Sequence, residues 1–184
     1  MKHLHYFASV IFVLLILGSC GTGKNTVPDA GKVAALDSLV RQKNFRVENQ
    51  WAYPMVTNAM MQVGALLGPM NNAQRINLMG NPNYLEIKGD SVKAELPYFG
   101  ERQMGGGYNP DGQGIKLDGK ISGWDLSYIE KKNLYRVKFR AGQNSESLNI
   151  ILELYPNNRT MLMINSTQRN PISYEGTVKA SDKD

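Results

Sequence analysis

Apolar and polar residues alternate along most of the chain after residue 83, a pattern typical of β-strands that bury one face. Strands are predicted at 84–88, 91–96, 115–121, 124–129, 134–141, 147–155, 160–166 and 172–180. An earlier strand ends at Pro54 and is predicted to present on one face Phe45, Val47, Asn49, Trp51 and Tyr53. Because the connections after residue 115 are short, we expect an antiparallel meander.

Two turns predict how neighbouring strands pair. Gly89-Asp90 suits a two-residue hairpin turn with glycine first, which pairs Ile87 with Val92. A second turn at Asn157-Asn158 is predicted to place Met161 opposite Leu154 and Met163 opposite Leu152.

Helical periodicity is confined to residues 29–44, where Val33, Leu36 and Val40 recur at helical spacing and Asp29 can cap the helix start. Residues 55–82 have no clean period and are predicted to form short strands and loops. Their methionines, among them Met55, Met60, Met61 and Met70, suit irregular core filling or, alternatively, an adaptable apolar surface.

These elements predict a mainly β fold: one domain, residues 29–184, in which an antiparallel meander curves into a sandwich or partly closed barrel. One short N-terminal helix would cover an edge or an end of the sheet. The length of 184 residues suits a single domain, and an apolar fraction of 42% suits a folded core.

The N-terminal residues have the layout of a secretory signal, with Lys2 followed by an apolar run from Val10 to Leu17. Leu17-Gly18-Ser19-Cys20 resembles the lipobox of bacterial lipoproteins. That resemblance implies a signal peptide over 1–19, cleavage before Cys20, acyl chains on Cys20 and a lipidated tether over 20–28. The mature protein is then a membrane-anchored lipoprotein. We expect it at the outer membrane facing the periplasm, because the residues directly after Cys20, Gly21-Thr22-Gly23-Lys24-Asn25, include no acidic residue.

The few histidines and cysteines restrict the chemistry of the mature chain. His3 and His5 are the only histidines, and both lie in the predicted signal peptide. Without a histidine or a free thiol, the mature chain cannot perform Ser-His-Asp or Cys-His catalysis and cannot ligate zinc through histidine. No cofactor and no metal site are predicted, and the protein is predicted not to be an enzyme.

A carboxylate-dependent glycan hydrolase stays open as an alternative, since it needs only two acidic residues in one cleft. Nothing in the spacing selects a pair among the candidates Glu95, Glu101, Asp111, Asp118, Asp125 and Glu153.

Aromatic residues near a glycine-rich segment, 101–114, suggest a candidate ligand surface formed by Tyr98, Phe99, Tyr108 and Trp124. Such a surface could stack on a sugar or hold an apolar ligand in the mouth of the sheet. The glycine spacing fits no phosphate-binding fingerprint, so a flexible connection and ordinary core aromatics are the simpler interpretation.

Arg136, Lys138 and Arg140 share one face of a predicted strand and form a candidate patch for an anionic partner. Glycans and lipid headgroups suit the predicted compartment, whereas nucleic acid does not. The simpler interpretation is a solvated strand face.

Two short segments, Asp37-Ser38-Leu39 and Asp90-Ser91-Val92, resemble a motif for O-glycosylation of exported proteins.

The chain resembles the domain of unknown function 4251 family (DUF4251) of Bacteroidota lipoproteins in five features. These are the lipobox, the strand from Phe45, the Gly89-Asp90 turn, the run Leu96-Pro97-Tyr98-Phe99-Gly100 and the late Ile172-Ser173-Tyr174-Glu175-Gly176. The similarity covers roughly 45–178. The family carries no established activity, so the resemblance implies location and fold class and transfers no catalytic residue.

The sequence therefore predicts a cell-envelope lipoprotein of unknown biochemical activity, a non-enzymatic binding or accessory module. Its expected partners are the membrane, through Cys20, and an envelope protein, glycan or lipid, with the oligomeric state left open. A ligand carrier and a glycan hydrolase are the alternatives.

Overall fold

The computed structural model describes residues 29–64, 66, 68, 71–103, 114–143 and 145–181. Within these residues the helices are α1 (Ala30–Arg41) and α2 (Asn58–Gly64), with a 3₁₀ turn at Glu130–Lys132. The strands are β1 (Asn44–Pro54), β2 (Ile76–Asn77), β3 (Tyr84–Lys88), β4 (Ser91–Leu96), β5 (Ile115–Lys120), β6 (Ser122–Ile129), β7 (Leu134–Gln143), β8 (Glu146–Leu154), β9 (Arg159–Ser166) and β10 (Ile172–Ala180).

The ten described strands form one antiparallel sheet in the order β5-β4-β3-β1-β10-β9-β8-β7-β6, with β2 beside β1. The two ends of the sheet approach each other because β5 comes close to β7. The sheet is therefore nearly closed into a barrel, and the predicted mainly β fold is confirmed.

The inner face of the sheet is the hydrophobic core. Along β7 the buried Tyr135, Val137 and Phe139 alternate with the outward-facing Arg136 and Lys138. Burying each such large side chain contributes about 1.5–3 kcal/mol. The period-two pattern thus sets which face of each strand points inward.

The hairpin at Gly89 has the predicted register, with Ile87 opposite Val92. Gly89 has φ +60°, which suits glycine at the first position of this turn. The turn is also bonded to Lys43, which lies just after the end of α1. Its Gly89 N–H donates to the Lys43 carbonyl at 2.8 Å, and Lys43 Nζ lies 2.8 Å from Asp90 Oδ1.

The predicted pairing of β8 with β9 is wrong by one residue, since Leu154 lies opposite Thr160. The cause is the turn, where Asn158 takes a left-handed conformation (φ +63°) and Tyr155 N–H donates to the Arg159 carbonyl at 3.0 Å. A one-residue shift moves every side chain to the other face. Met161 therefore lies on the outer face of the sheet.

A bulge in β1 corrects a second expectation. The pairing with β10 skips Gln50, so the inward and outward faces exchange there. Trp51 and Tyr53 were expected on the same face as Phe45, but Ala52 is the buried residue beyond the bulge. At the bulge β10 has Gly176, where a Cβ atom would overlap the Glu48 carbonyl oxygen.

Helix α2 was not predicted, because its seven residues are too few for a period to emerge. A local signal was present in Thr57, whose hydroxyl accepts a hydrogen bond from the Met60 N–H at 3.2 Å. Met60 belongs to the core, whereas Met55 and Met61 are exposed. The described methionines of this segment therefore divide between core and surface, and Met70 lies outside the described residues.

Helix α1 contacts β1 and faces Tyr128 of β6 and Tyr135 of β7. Asp29 caps it as predicted, accepting from the Gly31 N–H at 2.8 Å, and Leu36 and Val40 are buried. Lys43, just after the helix, lies with its Nζ 4.9 Å from the centroid of the Trp124 ring of β6. Among the described residues, neither helix is long and apolar enough to cross a membrane.

Candidate functional site

The predicted aromatic surface is not assembled. Trp124 lies beside Lys43, and Lys43 binds Asp90, the residue just before β4. Tyr98 lies just beyond the other end of β4. Trp124 and Tyr98 therefore lie near opposite ends of that strand. Trp124 stacks on Phe139 at 5.7 Å, and Phe99 packs partly buried against the core. The fourth candidate, Tyr108, lies outside the described residues, as does Cys20.

Tyr98 belongs to a cluster that we call the buried arginine cluster: Tyr98, Glu146, Ser166 and Arg169. Tyr98 is 8% exposed, and its hydroxyl lies 3.1 Å from the Asn170 carbonyl oxygen. Arg169 Nε and Nη2 lie 2.8 and 3.1 Å from the two Glu146 carboxylate oxygens. The Arg169 guanidinium also lies 5.1 Å from the centroid of the Tyr98 ring.

The environment of Glu146 keeps its carboxylate charged. Burial by itself would raise the pKa of Glu146. Hydrogen bonds from Arg169 and Ser166, together with the charges of Arg169 and Arg102, outweigh burial and hold the pKa below its usual range.

The buried arginine cluster joins two connections at one end of the barrel. Arg169 Nη1 donates to the Gly114 carbonyl at 3.2 Å, and Gln103 N–H donates to the Gln168 carbonyl at 2.8 Å. Asn170 N–H donates to the Glu101 carbonyl at 3.2 Å. The cluster therefore stabilises the packing of these two connections against each other.

The predicted basic patch is partly neutralised. Arg136 binds Glu153 of β8 through Nη2 and Oε1 at 2.6 Å. Lys138 is exposed and lies opposite Asp125 of β6. Arg140 is exposed as well, so two of the three outer-face cations are exposed, whereas Arg136 is partly buried against Glu153.

The candidate hydrolytic carboxylates have structural partners. Lys93 binds Asp118 at 3.3 Å, and Lys116 lies 4.0 Å from Glu95. Glu101 accepts a hydrogen bond from the Thr57 hydroxyl at 3.1 Å. Asp111 lies outside the described residues. In the part of the chain that the structure describes, no group of three or more Asp, Glu, His or Cys residues could hold a metal ion.

The two predicted modification sites differ in setting. Ser91 is exposed at the first position of β4, directly after the hairpin turn. Ser38 lies on α1, where its hydroxyl accepts a hydrogen bond from Gln42 Nε2 at 2.9 Å. Glycosylation of either serine stays a prediction.

A groove of about 560 Å³ opens between α1 and the β6–β7 hairpin, and we call it the α1 groove. Its lining residues are Ala30, Val33, Ala34 and Asp37 of the helix and Tyr128, Asn133 and Tyr135 of the hairpin. This volume lies within the roughly 300–1,000 Å³ of small-molecule sites.

Two tyrosines form the hairpin side of the groove. The rings of Tyr128 and Tyr135 lie 4.9 Å apart at 48°, with Tyr128 39% exposed and Tyr135 7% exposed. The Tyr128 hydroxyl donates to Asn133 Oδ1 at 3.3 Å. Asn133 ends the 3₁₀ turn with φ +48°, a left-handed conformation that asparagine tolerates.

Asp37 supplies the charge on the helix side. A hydrogen bond from the Tyr135 hydroxyl and a second from Arg41 hold the pKa of Asp37 below its usual range. Arg41 Nε lies 2.8 Å from Asp37 Oδ1. Burial, followed by the hydrogen bond to Asp37, raises the pKa of Tyr135. At neutral pH the groove therefore contains a carboxylate beside a neutral phenol.

Sequence reasoning missed this groove because it forms between segments far apart in the chain. One signal was available, since Ala30, Ala34 and Asp37 are spaced to share a side of α1 that is small or polar. Nothing in that spacing indicates that the tyrosines of β6 and β7 lie opposite.

A family model described as "Domain of unknown function (DUF4251)" matches residues 28–178. The chain belongs to the DUF4251 family. The similarity predicted from the sequence is thereby confirmed.

The DUF4251 chain is also similar in structure to a solved relative, a DUF4251 family protein from Bacteroides eggerthii DSM 20697. The two have a TM-score of 0.56 at 16% sequence identity, and the match covers 83% of this chain and 89% of the other. At that identity the likeness concerns the fold. No curated protein matches the chain.

Proposed function

We propose that this DUF4251 protein is a lipid-anchored module of the cell envelope that acts by binding and not by catalysis. The lipobox-like Leu17-Gly18-Ser19-Cys20 supports the anchor, with acylated Cys20 at the outer membrane facing the periplasm. The proposed partners are the membrane, through that lipid, and an envelope component held in the α1 groove. Nucleic acid is not expected in that compartment.

The observation that carries this proposal is the position of the α1 groove in the chain. Ala30, the first residue of α1, lines it and lies ten residues after Cys20 (30 − 20 = 10). The nine residues from 20 to 28 span at most about 30 Å when extended. The anchor would therefore hold the groove close to the membrane surface.

The titrating groups favour binding over hydrolysis. A carboxyl that acts as a general acid needs a raised pKa. Among the described carboxyl groups whose pKa is shifted, every shift is downward, namely those of Asp37, Glu48, Asp90, Glu146 and Glu175. The carrier alternative is weakened by Tyr98, which is buried and hydrogen-bonded instead of lining a sheet mouth.

The anchor is tested by growing the source cells with an alkyne fatty acid and fractionating the envelope. The wild-type protein should carry the label and sediment with the outer membrane. The Cys20→Ser variant should lose the label. An unlabelled wild-type protein would contradict the proposed anchor.

The binding role is tested by native mass spectrometry of the full mature lipidated protein, purified gently from the host envelope. A stoichiometric extra mass that leaves on denaturation supports binding and gives the ligand class. Saturable hydrolysis of envelope glycans that vanishes on changing one acidic residue would overturn the non-catalytic role.

A further inference from the structure

We propose that the α1 groove binds a neutral saccharide. This inference rests on the proposed binding function and names the class of ligand. It depends on three features of the groove: an exposed aromatic ring, adjacent hydrogen-bonding groups and a carboxylate whose charge is balanced within the protein.

The aromatic feature is Tyr128, whose side chain is 39% exposed at the edge of the groove. Its hydroxyl binds Asn133, and its ring packs on Tyr135 at 4.9 Å, so the ring is held in place before a ligand arrives. The face of an aromatic ring is electron-rich. The C–H groups on one side of a pyranose ring carry partial positive charge and match that face.

The hydrogen-bonding groups suit hydroxyls. The Asp37 carboxylate accepts hydrogen bonds and the Asn133 amide has two N–H donors. The Tyr135 hydroxyl donates to Asp37 and can still accept a hydrogen bond from a ligand. Asp37 and Asn133 line opposite sides of the groove. A sugar hydroxyl both donates and accepts, so it can bind on either side.

The charges favour a neutral ligand. Arg41 Nε lies 2.8 Å from Asp37 Oδ1, so the carboxylate already has its cation and does not require a second one. Asp37 lines the groove and Arg41 does not, so an anion inside the groove would lie nearer the carboxylate than its cation and would be disfavoured. The remaining wall is small and apolar, formed by Ala30, Val33 and Ala34, which leaves space beside the tyrosine for a flat ring.

The test uses the mature lipidated chain in a detergent without a sugar headgroup. The probes are triacetylchitotriose and maltotriose, which are neutral, and trigalacturonate as an anionic counterpart. Saturation-transfer NMR at about 10 mM sugar detects millimolar dissociation constants. At least one neutral trisaccharide should bind, with transfer from tyrosine ring protons, and trigalacturonate should bind more weakly.

Variants separate stacking from general damage. Tyr128→Ala should weaken binding about tenfold, whereas Tyr128→Phe keeps the ring and should stay within about twofold. Asp37→Asn should reduce the discrimination against trigalacturonate, an effect that a purely structural role would not produce. Tyr155→Ala is the matched control, since Tyr155 lines a separate cleft of about 160 Å³. Circular dichroism checks that each variant is folded.

Absence of binding by both neutral probes would overturn the inference, as would binding that Tyr128→Ala leaves unchanged or tighter binding of trigalacturonate. If an envelope-purified sample still carries a stoichiometric ligand that is not a saccharide, the binding function stands and the saccharide assignment fails. If both experiments are negative, the proposed function fails as well.

Discussion

Two places in the barrel combine an arginine, a carboxylate and a tyrosine with opposite results. In the buried arginine cluster, the side chains of Arg169 and Glu146 are 6% and 15% exposed. At the α1 groove, those of Arg41 and Asp37 are 66% and 31% exposed. The N···O distance is 2.8 Å in both pairs.

The difference arises from what surrounds each pair. Arg169 and Glu146 are 23 residues apart, and they are also bonded to the Gly114 carbonyl and the Ser166 hydroxyl respectively. Arg41 and Asp37 are four residues apart on one helix, so helical spacing alone brings them together. A similar hydrogen-bonded pair therefore fastens the fold at one site and leaves groups accessible to a ligand at the other.

The largest expected effect is from Arg169→Ala. Removing the guanidinium leaves the carboxylate of Glu146 largely buried without its main partner, which should cost about 3 kcal/mol in the free energy of unfolding. Arg41→Ala removes an exposed partner and should shift the urea midpoint little. Equal losses from the two variants would break the comparison.

The second effect concerns acid stability. Because the folded pKa of Glu146 is lowered, its contribution is complete above the ordinary carboxyl pKa of about 4.3 and is lost as the pH falls through the folded value. Glu146→Gln should cost about 2 kcal/mol at pH 7 and flatten the acid limb of the stability curve. Urea titrations from pH 7 to 3 measure this, with Asp37→Asn as the exposed counterpart.

The third effect concerns the tyrosines. Tyr98→Phe removes a hydroxyl that bonds to backbone carbonyls in the buried cluster, which should cost about 1 kcal/mol. Burial raises the pKa of Tyr98, so its contribution to the free energy of unfolding is complete below the ordinary tyrosine pKa of about 10. That contribution is lost as the pH rises through the folded pKa. The variant should therefore lose less stability on going to alkaline pH. A wild-type-like alkaline limb in Tyr98→Phe would contradict this account.

The smallest effect is at the start of α1. Asp29→Ala removes the hydrogen bond to the Gly31 N–H and should cost about 0.5–1 kcal/mol. Hydrogen exchange should accelerate at the α1 amides beside the groove. The amides around Arg169 should keep their protection, and faster exchange there would mean that the two regions are not independent.

Local rules account for the elements that were predicted correctly. Strand alternation depends on which face is buried, and the Gly89 turn depends on two adjacent residues, so both are visible in the sequence. The predicted β8–β9 register was wrong, and the β1 bulge was not predicted. The register depends on the conformation of Asn158 and the bulge on the pairing of Gln50, and the alternation pattern reveals neither.

The candidate site was less predictable than the fold. Tyr98 and Trp124 are aromatic and near glycines, but tertiary packing buries the first and stacks the second on Phe139. The α1 groove depends on a helix from one end of the chain lying along a hairpin about a hundred residues later. Long-range packing of this kind leaves no fixed spacing in the sequence.

The sequence by itself determined the mainly β class, membership of the DUF4251 family and the absence of histidine beyond His5, because alternation, motif and composition are properties of the chain alone. Only the tertiary structure decided which arginine–carboxylate pair is buried and which lines a groove. Burial depends on neighbours from other segments, and those neighbours are specified only once the sheet has curved and α1 has packed against it.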